Sequence, residues 1–280
     1  MKFSYVLAGI LMLNLALSAS ETVRLGPVTV SAKLQKSTLD EPTKVEIAGR
    51  GTILESGDIA KSLLNISGFS MERKGGGGSE VYYRSQTAAR LPVLIDGSML
   101  NGGCGMRMDT PITYIAAQNY NSVRIVKGPQ DVRNAALISG GIFFDRDILR
   151  LDKFKYGGNL SFLAGSFKRF EANADVMAGN ELGSVQIFGG HFESNDYKNG
   201  DGKKMHTNYN RKNASLIATL TPTDATAIQL STDIGRGEAA YADRMRDGTQ
   251  FDRTSFGAKF EQDIGRHVFR LSSYYHKIDH

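Results

Sequence analysis

The chain has 280 residues, of which 41% are hydrophobic and 22% charged, and this composition excludes a collagen, a coiled coil and a disordered protein. The formal net charge is +5 and no run of basic residues would follow a phosphate backbone, so we expect no nucleic-acid partner. The one cysteine, Cys104, excludes an internal disulfide and, without other ligands, a zinc finger or an iron–sulfur cluster.

Residues 1–20 have the pattern of a secretory signal peptide. Lys2 supplies the positive start, and the stretch from Val6 to Leu17 is apolar except for one asparagine. This stretch is shorter than the roughly 20 residues that a membrane-spanning helix needs. We predict export with cleavage after Ser20; the alternative is a short N-terminal anchor helix. No later stretch could span as a helix, so a place in the membrane would require a β-barrel.

Residues 21–150 mix short elements with loops. Residues 58–64 predict a short amphipathic helix, and the glycine run 75–78 predicts a loop. This run lacks the lysine and serine or threonine of a phosphate-binding loop. Strands are predicted at 81–83, 92–95 and 122–127, with a turn at Asp96-Gly97. The pattern indicates an α+β domain.

Residues 151–280 show apolar and polar residues in alternation, the pattern of strands with one face to lipid and one to a polar interior. The apolar positions alternate along 170–178, 214–220, 228–234, 256–260 and 269–275. Tight turns at 179–183 and 222–224 alternate with long polar loops at 194–208 and 238–250, as in outer-membrane barrels. The alternative is a soluble β-sandwich or barrel.

We count roughly seven antiparallel transmembrane strands in this second part. A bacterial barrel needs an even number of at least eight strands, and the alternation is still running at Tyr275–His280. We therefore expect an incomplete barrel that belongs to a longer protein.

Several motifs resemble those of the TonB-dependent outer-membrane receptors, in which a plug domain precedes a barrel. The segment Val28-Thr29-Val30-Ser31-Ala32 resembles the TonB box, an extended strand thought to add to a sheet edge of the energy-transducing partner. Four further segments resemble the plug motifs dLLxxxPGV, vliDG, ieVlrGP and gGvIn; they are Leu63–Phe69, Leu91–Gly97, Val123–Pro129 and Gly140–Ile142. The chain departs from the family at 134–136, where Asn-Ala-Ala replaces the usual Tyr-Gly step.

The segment 102–111 resembles the copper-receptor branch of this family, which carries C-x-x-x-M in an outward-facing plug loop. Cys104 and Met108 match this spacing, and Asp, Thr and Pro residues follow. The branch also carries a His-x-Met pair on a barrel strand, and the resemblance implies that His280 is its histidine. The implied ligands are therefore Cys104, Met108 and His280.

The chemistry of these residues agrees with that ligand set. Thiolate and thioether sulfurs are soft donors that favour Cu(I) over hard cations. A cysteine and a methionine four residues apart converge if the loop makes a helical turn, and glycines at 102, 103 and 105 favour a sharply bent loop. Binding requires a deprotonated thiol, so affinity should fall at acid pH. The alternative for Cys104 is a plain buried residue.

Strand parity places His280 and His276 on the interior face of the last strand, with Phe269, Leu271 and Tyr275 on the lipid face. A lone strand histidine is more often a polar lumen residue than a ligand, so His276 is a weaker candidate. Met106 is a weaker third sulfur, since a helical loop would point it away. Met205 and His206 lie in a predicted long loop, where they are either solvated or an early capture site. Arg107 and Asp109 are expected to pair or to cap the loop.

The sequence predicts an outer-membrane transporter that imports copper ion as cargo. Such transport changes no bond of a substrate, so we do not expect an enzyme. The resemblance implies the TonB complex and outer-membrane lipid as partners, and no organic cofactor. Two alternatives remain at this point. One is a TonB-dependent receptor for a siderophore, haem, cobalamin or another chelate. The other is a surface adhesin or structural barrel without transport, which would have no use for a TonB box.

Overall fold

The computed structural model describes residues 43–45, 58–75, 78–129, 137–242 and 246–280. The predicted signal peptide and the TonB-box residues 28–32 lie outside these ranges, as does the departure at 134–136. Among the described helices, none has the length and apolar character needed to cross a membrane.

The first domain is built on a mixed sheet that has five strands within the described residues, in the order β1-β6-β7-β4-β5. Its strands are β1 (Thr43–Val45), β4 (Val93–Ile95), β5 (Ser98–Leu100), β6 (Ser122–Lys127) and β7 (Gly140–Asp145). Strands β4 and β7 run parallel, and the other neighbours run antiparallel.

A separate hairpin and four short helices complete the first domain in the described ranges. The hairpin pairs β2 (Phe69–Gly75) with β3 (Gly78–Tyr83). The helices are α1 (Ala60–Leu63) and the 3-10 turns Ala88–Arg90, Pro111–Tyr114 and Ala117–Asn119. The helix predicted at 58–64 is thus shorter in the structure, and the Asp58 carboxylate before it accepts a hydrogen bond from the Ala60 amide at 3.1 Å.

The core of the first domain is formed by the β-branched and aromatic residues of its strands. Ile125 of β6 and Ile142 and Phe144 of β7 are completely buried. Strand β6 has the predicted bounds 122–127. Asp96 and Gly97 join β4 to β5 with positive φ angles of 52° and 89°, the backbone that a tight hairpin requires.

The second domain is an antiparallel sheet that has seven strands in the described residues, each paired with its neighbour in sequence. Its strands are β8 (Lys155–Gly165), β9 (Arg169–Asn180), β10 (Gly183–Ser194), β11 (Tyr209–Thr223), β12 (Thr226–Ala239), β13 (Asp252–Ile264) and β14 (His267–Asp279). Two-residue turns join β9 to β10 and β11 to β12, while long loops join β10 to β11 and β12 to β13. The described residues thus contain the predicted number of strands, and the connections from β9 to β14 alternate between short and long, whereas the β8–β9 connection is short like the one that follows it.

The two faces of this sheet differ as the alternation predicts. On β12, Leu230 is 55% exposed, whereas the preceding Gln229 is 2% exposed. On β14, Leu271 and Tyr275 are exposed, and Ile278 packs against the core of the first domain. One face is therefore apolar and outward, and the other is polar and covers the first domain. We refer to the seven-stranded sheet as the wall.

Candidate metal site

The loop that follows β5, residues 101–110, carries the two predicted sulfur ligands. It contains a hydrogen-bonded turn in which the Arg107 amide donates to the Cys104 carbonyl at 2.9 Å. Arg107 has a φ of 53°, so the chain leaves the helical path at this residue. We refer to residues 101–110 as the sulfur loop.

Asp109 fastens the first half of the sulfur loop. Its carboxylate accepts hydrogen bonds from the backbone amides of Gly103 and Cys104, the latter at 2.9 Å. The Tyr114 hydroxyl donates to the same carboxylate at 2.6 Å. Burial, and next the hydrogen bond to Asp109, raise the pKa of Tyr114, so this hydroxyl keeps its proton and remains a donor. The expectation that Asp109 caps the loop is confirmed.

Arg107 fastens the second half of the sulfur loop to β3. Its guanidinium donates two hydrogen bonds to the carboxylate of Glu80, at 2.9 Å and 2.6 Å. Glu80 is 4% exposed and also accepts a hydrogen bond from Thr87. An arginine that donates two hydrogen bonds to one buried carboxylate fixes the relative orientation of the two side chains as well as their distance. Arg107 thus pairs, as predicted, and lies outside the metal group described below.

The wall reaches Met108 through the loop between β12 and β13. The Tyr241 hydroxyl donates to the Met108 carbonyl at 2.8 Å. Met108 is half-buried and packs against a cluster formed by Ala239, Tyr241 and Phe251. Residues of the wall and of its β12–β13 loop therefore hold this methionine in place.

His280, just after β14, lies against the sulfur loop. A Cβ atom added at Gly103 would lie 3.0 Å from the Cβ of His280 and 3.3 Å from Ile278, so a side chain here would require these neighbours to shift by a few tenths of an ångström. The ring of Phe251 lies 4.7 Å from the His280 ring between centroids. The Nδ1 atom lies 3.0 Å from the carbonyl oxygen of Gln250. Because a carbonyl only accepts, Nδ1 donates there, and the Nε2 lone pair remains for a metal ion.

One group of metal-binding side chains stands out in the described residues. The ligand atoms of Cys104, Asp109 and His280 all lie within 4.8 Å of one another. The thiol and the imidazole come from different domains, so the group bridges the sulfur loop and the wall. Two of the three predicted ligands, Cys104 and His280, are thus brought together, with Met108 four residues along the same loop.

The weaker candidates lie elsewhere. Met106 is 72% exposed on the loop. His276 lies four residues before His280, a separation of about 13 Å along a strand. Its Nδ1 atom lies 2.8 Å from the Ser255 hydroxyl. His206 pairs with Asp247 at 2.8 Å between the two long loops.

Sequence reasoning missed Glu80, Tyr114, Tyr241 and Phe251, which support the loop and its histidine. Glu80 and Tyr114 carry no local signal, because their partners are fixed only by the tertiary fold. Tyr241 and Phe251 did offer a signal, since they are aromatic residues in an otherwise polar loop region.

Comparison with known proteins agrees with this architecture. Residues 37–142 match the family model of the TonB-dependent receptor plug domain. The search of curated proteins found no match. Among solved structures, the copper transporter OprC aligns at 31% identity with a TM-score of 0.79, over 85% of this chain and 38% of that one. This chain thus spans well under half the length of that relative.

Two receptors for other cargoes share the fold at lower identity. The ferric citrate transporter FecA aligns at 17% identity with a TM-score of 0.61, over 85% of this chain and 39% of that one. The siderophore receptor PirA from Acinetobacter baumannii aligns at 14% identity with a TM-score of 0.60, over 80% and 38%. Residues 37–142 thus carry a TonB-dependent receptor plug domain, and the antiparallel sheet that follows it matches the barrel strands of these solved receptors.

Proposed function

We propose that this receptor imports copper across the outer membrane and binds the ion with Cys104 and Met108 of the plug and His280 of the wall. The observation that carries the proposal is the approach of a plug thiol and a wall imidazole within 4.8 Å at the sulfur loop. A thiolate, a thioether and an imidazole form a donor set suited to Cu(I). The 31% identity to the copper transporter OprC supports the same cargo.

Export and membrane insertion belong to the same proposal. Residues 1–20 act as the signal peptide, 21–150 form the TonB box and plug, and 151–280 contribute barrel strands. The apolar outward face of the wall, with residues such as Leu230 and Leu271 more than half exposed, suits contact with lipid. The TonB box at Val28–Ala32 passes energy from the inner membrane to the plug.

Transport on this scheme changes no covalent bond, so the receptor is not an enzyme. The ion enters from outside and is held between the plug and the wall. Pulling on the TonB box then separates the plug from the wall. Because the donors come from both domains, this separation removes His280 from the ion and releases it inward.

The test is the metal content of the full-length receptor purified in detergent. We expect about one copper per chain in the wild type and a large loss in Cys104→Ala, Met108→Ala and His280→Ala. Met106→Ala is the matched control, because this exposed methionine lies on the same loop and should leave the copper content unchanged. Copper that is absent from the wild type, or equal in all variants, would contradict the proposal. Deleting residues 28–32 should abolish uptake without changing bound copper.

A further inference from the structure

Three basic side chains lie side by side on the outward face of the wall. Lys212 of β11 is the register partner of His191 on β10 and of Arg236 on β12, so the three form one row across neighbouring strands. Lys212 and Arg236 are exposed and share strand parity with the exposed leucines of that face. His191 is partnered by Glu193 at 3.2 Å. We refer to His191, Lys212 and Arg236 as the basic row.

The charges of Lys212 and Arg236 are not neutralised by neighbouring acids of the wall. Like charges directly opposite each other destabilise a sheet. Glu238 lies one outward-facing row nearer the long loops, and Asp252 lies at the start of β13. Within the described residues, however, neither acid forms an ion pair with Lys212 or Arg236. An anion from outside the protein would relieve this repulsion.

The basic row lies near the outer end of the wall. It is close to the start of β11, which follows one long loop, and to the end of β12, which precedes the other. Long loops are extracellular in outer-membrane barrels, so an inserted wall would place the row at the level of the outer-leaflet headgroups. Basic sites on membrane proteins bind the anionic headgroups of lipids, and arginine matches phosphate with two parallel hydrogen bonds.

Small side chains lie directly below the basic row. The next outward-facing row toward the membrane centre contains Ala174, Gly189 and Ala214, followed by Ile234. A Cβ atom added at Gly189 would meet nothing within 4 Å, so the space above this part of the sheet is open. The bulk of a lipid headgroup fits over this step.

An apolar groove of about 550 Å³ continues the path toward the membrane centre. By register, Thr232 lies between the bulky side chains of Leu216 and Phe256, and Ala258 lies beside Leu230. Small residues between bulky ones thus make a depression in the outward face. Its lining is almost entirely apolar, which suits a hydrocarbon chain.

We propose that the basic row and the apolar groove together bind one phosphate-bearing lipid of the outer leaflet, with the phosphate on Lys212 and Arg236 and an acyl chain in the groove. Thr232 lies four residues from Arg236, about 13 Å along β12. A hydrocarbon core of about 30 Å allows each leaflet about 15 Å, so a chain that begins at the row reaches the groove.

Charge complementarity favours a lipid over a second copy of this chain. Two copies inserted in the same direction would bring their basic rows together at the same depth, where they would repel each other. This inference rests on the membrane insertion that belongs to the proposed function. It goes beyond that function by naming a lipid class and the residues that bind it.

The experiment titrates the delipidated full-length receptor in detergent with a long-chain phosphatidic acid and counts bound lipid by native mass spectrometry. We expect about one tightly bound lipid per chain. The double variant Lys212→Gln/Arg236→Gln should bind it roughly 25-fold more weakly, because each cation near the headgroups contributes about fivefold. Diacylglycerol with the same chains but no phosphate should bind the wild type at least about tenfold more weakly.

Matched variants test the two halves of the site separately. Lys198→Gln/Lys203→Gln removes the same charge from exposed positions in the β10–β11 loop and should keep the wild-type affinity. Ala258→Leu fills the groove without changing charge, and it should weaken binding several-fold. Ala178→Leu adds the same bulk to an exposed position on β9 and should have no effect.

Three results would overturn the inference. The first is equal affinity of the wild type and Lys212→Gln/Arg236→Gln for phosphatidic acid, or equal affinity of the wild type for phosphatidic acid and diacylglycerol. The second is displacement of the lipid by inorganic phosphate at the same concentration, which would show that the row binds a free anion without help from the groove. The third is a mass of two receptor chains without lipid, which would show that a second copy covers this face.

Copper content and flotation separate this inference from the proposed function. Lys212→Gln/Arg236→Gln should retain wild-type copper, because the basic row and the sulfur loop lie on opposite faces of the wall. A wild type that binds phosphatidic acid but no copper would refute the copper site alone. A wild type that does not float with lipid vesicles would refute membrane insertion, and this inference with it. One that floats but binds phosphatidic acid no better than diacylglycerol would refute this inference alone.

Discussion

The guanidinium of Arg146, directly after the last plug strand, donates two hydrogen bonds to the carboxylate of Asp233 on β12, at 2.7 Å and 2.8 Å. Arg253 and Ser215 of the wall complete the surroundings of this carboxylate, at 3.1 Å and 2.6 Å. Both charges are buried, and they belong to different domains. The plug is therefore held to the wall by a charge pair that is costly to break one partner at a time.

Asp233→Asn should loosen the plug from the wall. The substitution leaves the buried Arg146 with Asp96, at 3.6 Å, as its remaining carboxylate partner. Complete loss of one partner of a buried pair costs about 3–5 kcal/mol, so we expect a loss at or below the lower end of that range. We expect a lower midpoint of denaturant-induced unfolding and faster proteolysis of the plug in the purified receptor. The carboxylate of Asp152 pairs with Lys155 in solvent, so Asp152→Asn should leave both measurements unchanged. Equal stability of the two variants would contradict this account of the contact.

Two glycines of the sulfur loop should respond differently to alanine. A Cβ atom at Gly102 would lie 2.1 Å from the Asp109 carbonyl oxygen, whereas one at Gly105 would meet nothing within 4 Å. Gly102→Ala therefore forces the backbone of the loop apart, and we expect bound copper to fall at least several-fold. Gly105→Ala should retain wild-type copper, as measured by elemental analysis. A similar loss in both variants would show that flexibility of the loop, and not the close approach at Gly102, matters.

The parts of the fold that repeat with period two could be predicted from the sequence. On β12, polar Gln229 and Asp233 face inward and apolar Leu230 faces outward, so burial follows parity residue by residue. The same parity puts His280 on the inner side of the wall, where the structure brings it beside the sulfur loop. Of the three glycines expected to let the loop bend, Gly102 and Gly103 are closely approached by neighbouring atoms, whereas the space around Gly105 is open.

The supports of the sulfur loop could not be predicted in the same way. Glu80 lies 27 residues before Arg107 in the chain, and Arg253 lies 139 residues after Tyr114. No local pattern links such residues, since their contact depends on how the hairpin, the sheet and the wall pack together. The sequence predicts the candidate donor residues Cys104, Met108 and His280, and the structure adds the groups that hold them.

Arg107→Lys should loosen the sulfur loop although the charge is kept. A lysine cannot reproduce the two parallel hydrogen bonds to Glu80. Because the Arg107 side chain is 35% exposed, solvent screens part of the interaction, and we expect a loss of about 1 kcal/mol in loop stability. Hydrogen exchange at the backbone amide of position 107, which donates to the Cys104 carbonyl, should become faster. Arg270→Lys, on the exposed pair with Glu261, serves as the control and should leave this amide unaffected.

Phe251→Ala tests whether the Phe251 ring fixes the orientation of the His280 imidazole toward the ion. The Phe251 ring contacts that of His280 and belongs to the cluster that supports Met108, so one side chain orients two of the proposed ligands. An aromatic contact of this kind contributes about 0.5–1.5 kcal/mol beyond its buried area, which corresponds to roughly a two- to thirteenfold weaker affinity for Cu(I). Competition with a Cu(I) chelator measures that affinity in the full-length receptor.

Phe256→Ala is the matched control, because Phe256 lies on the outward face of β13 with 54% of its surface exposed. If both variants bind Cu(I) as tightly as the wild type, then the orientation of His280 does not depend on Phe251. The hydrogen bond from Nδ1 to the Gln250 carbonyl would then hold the imidazole in place.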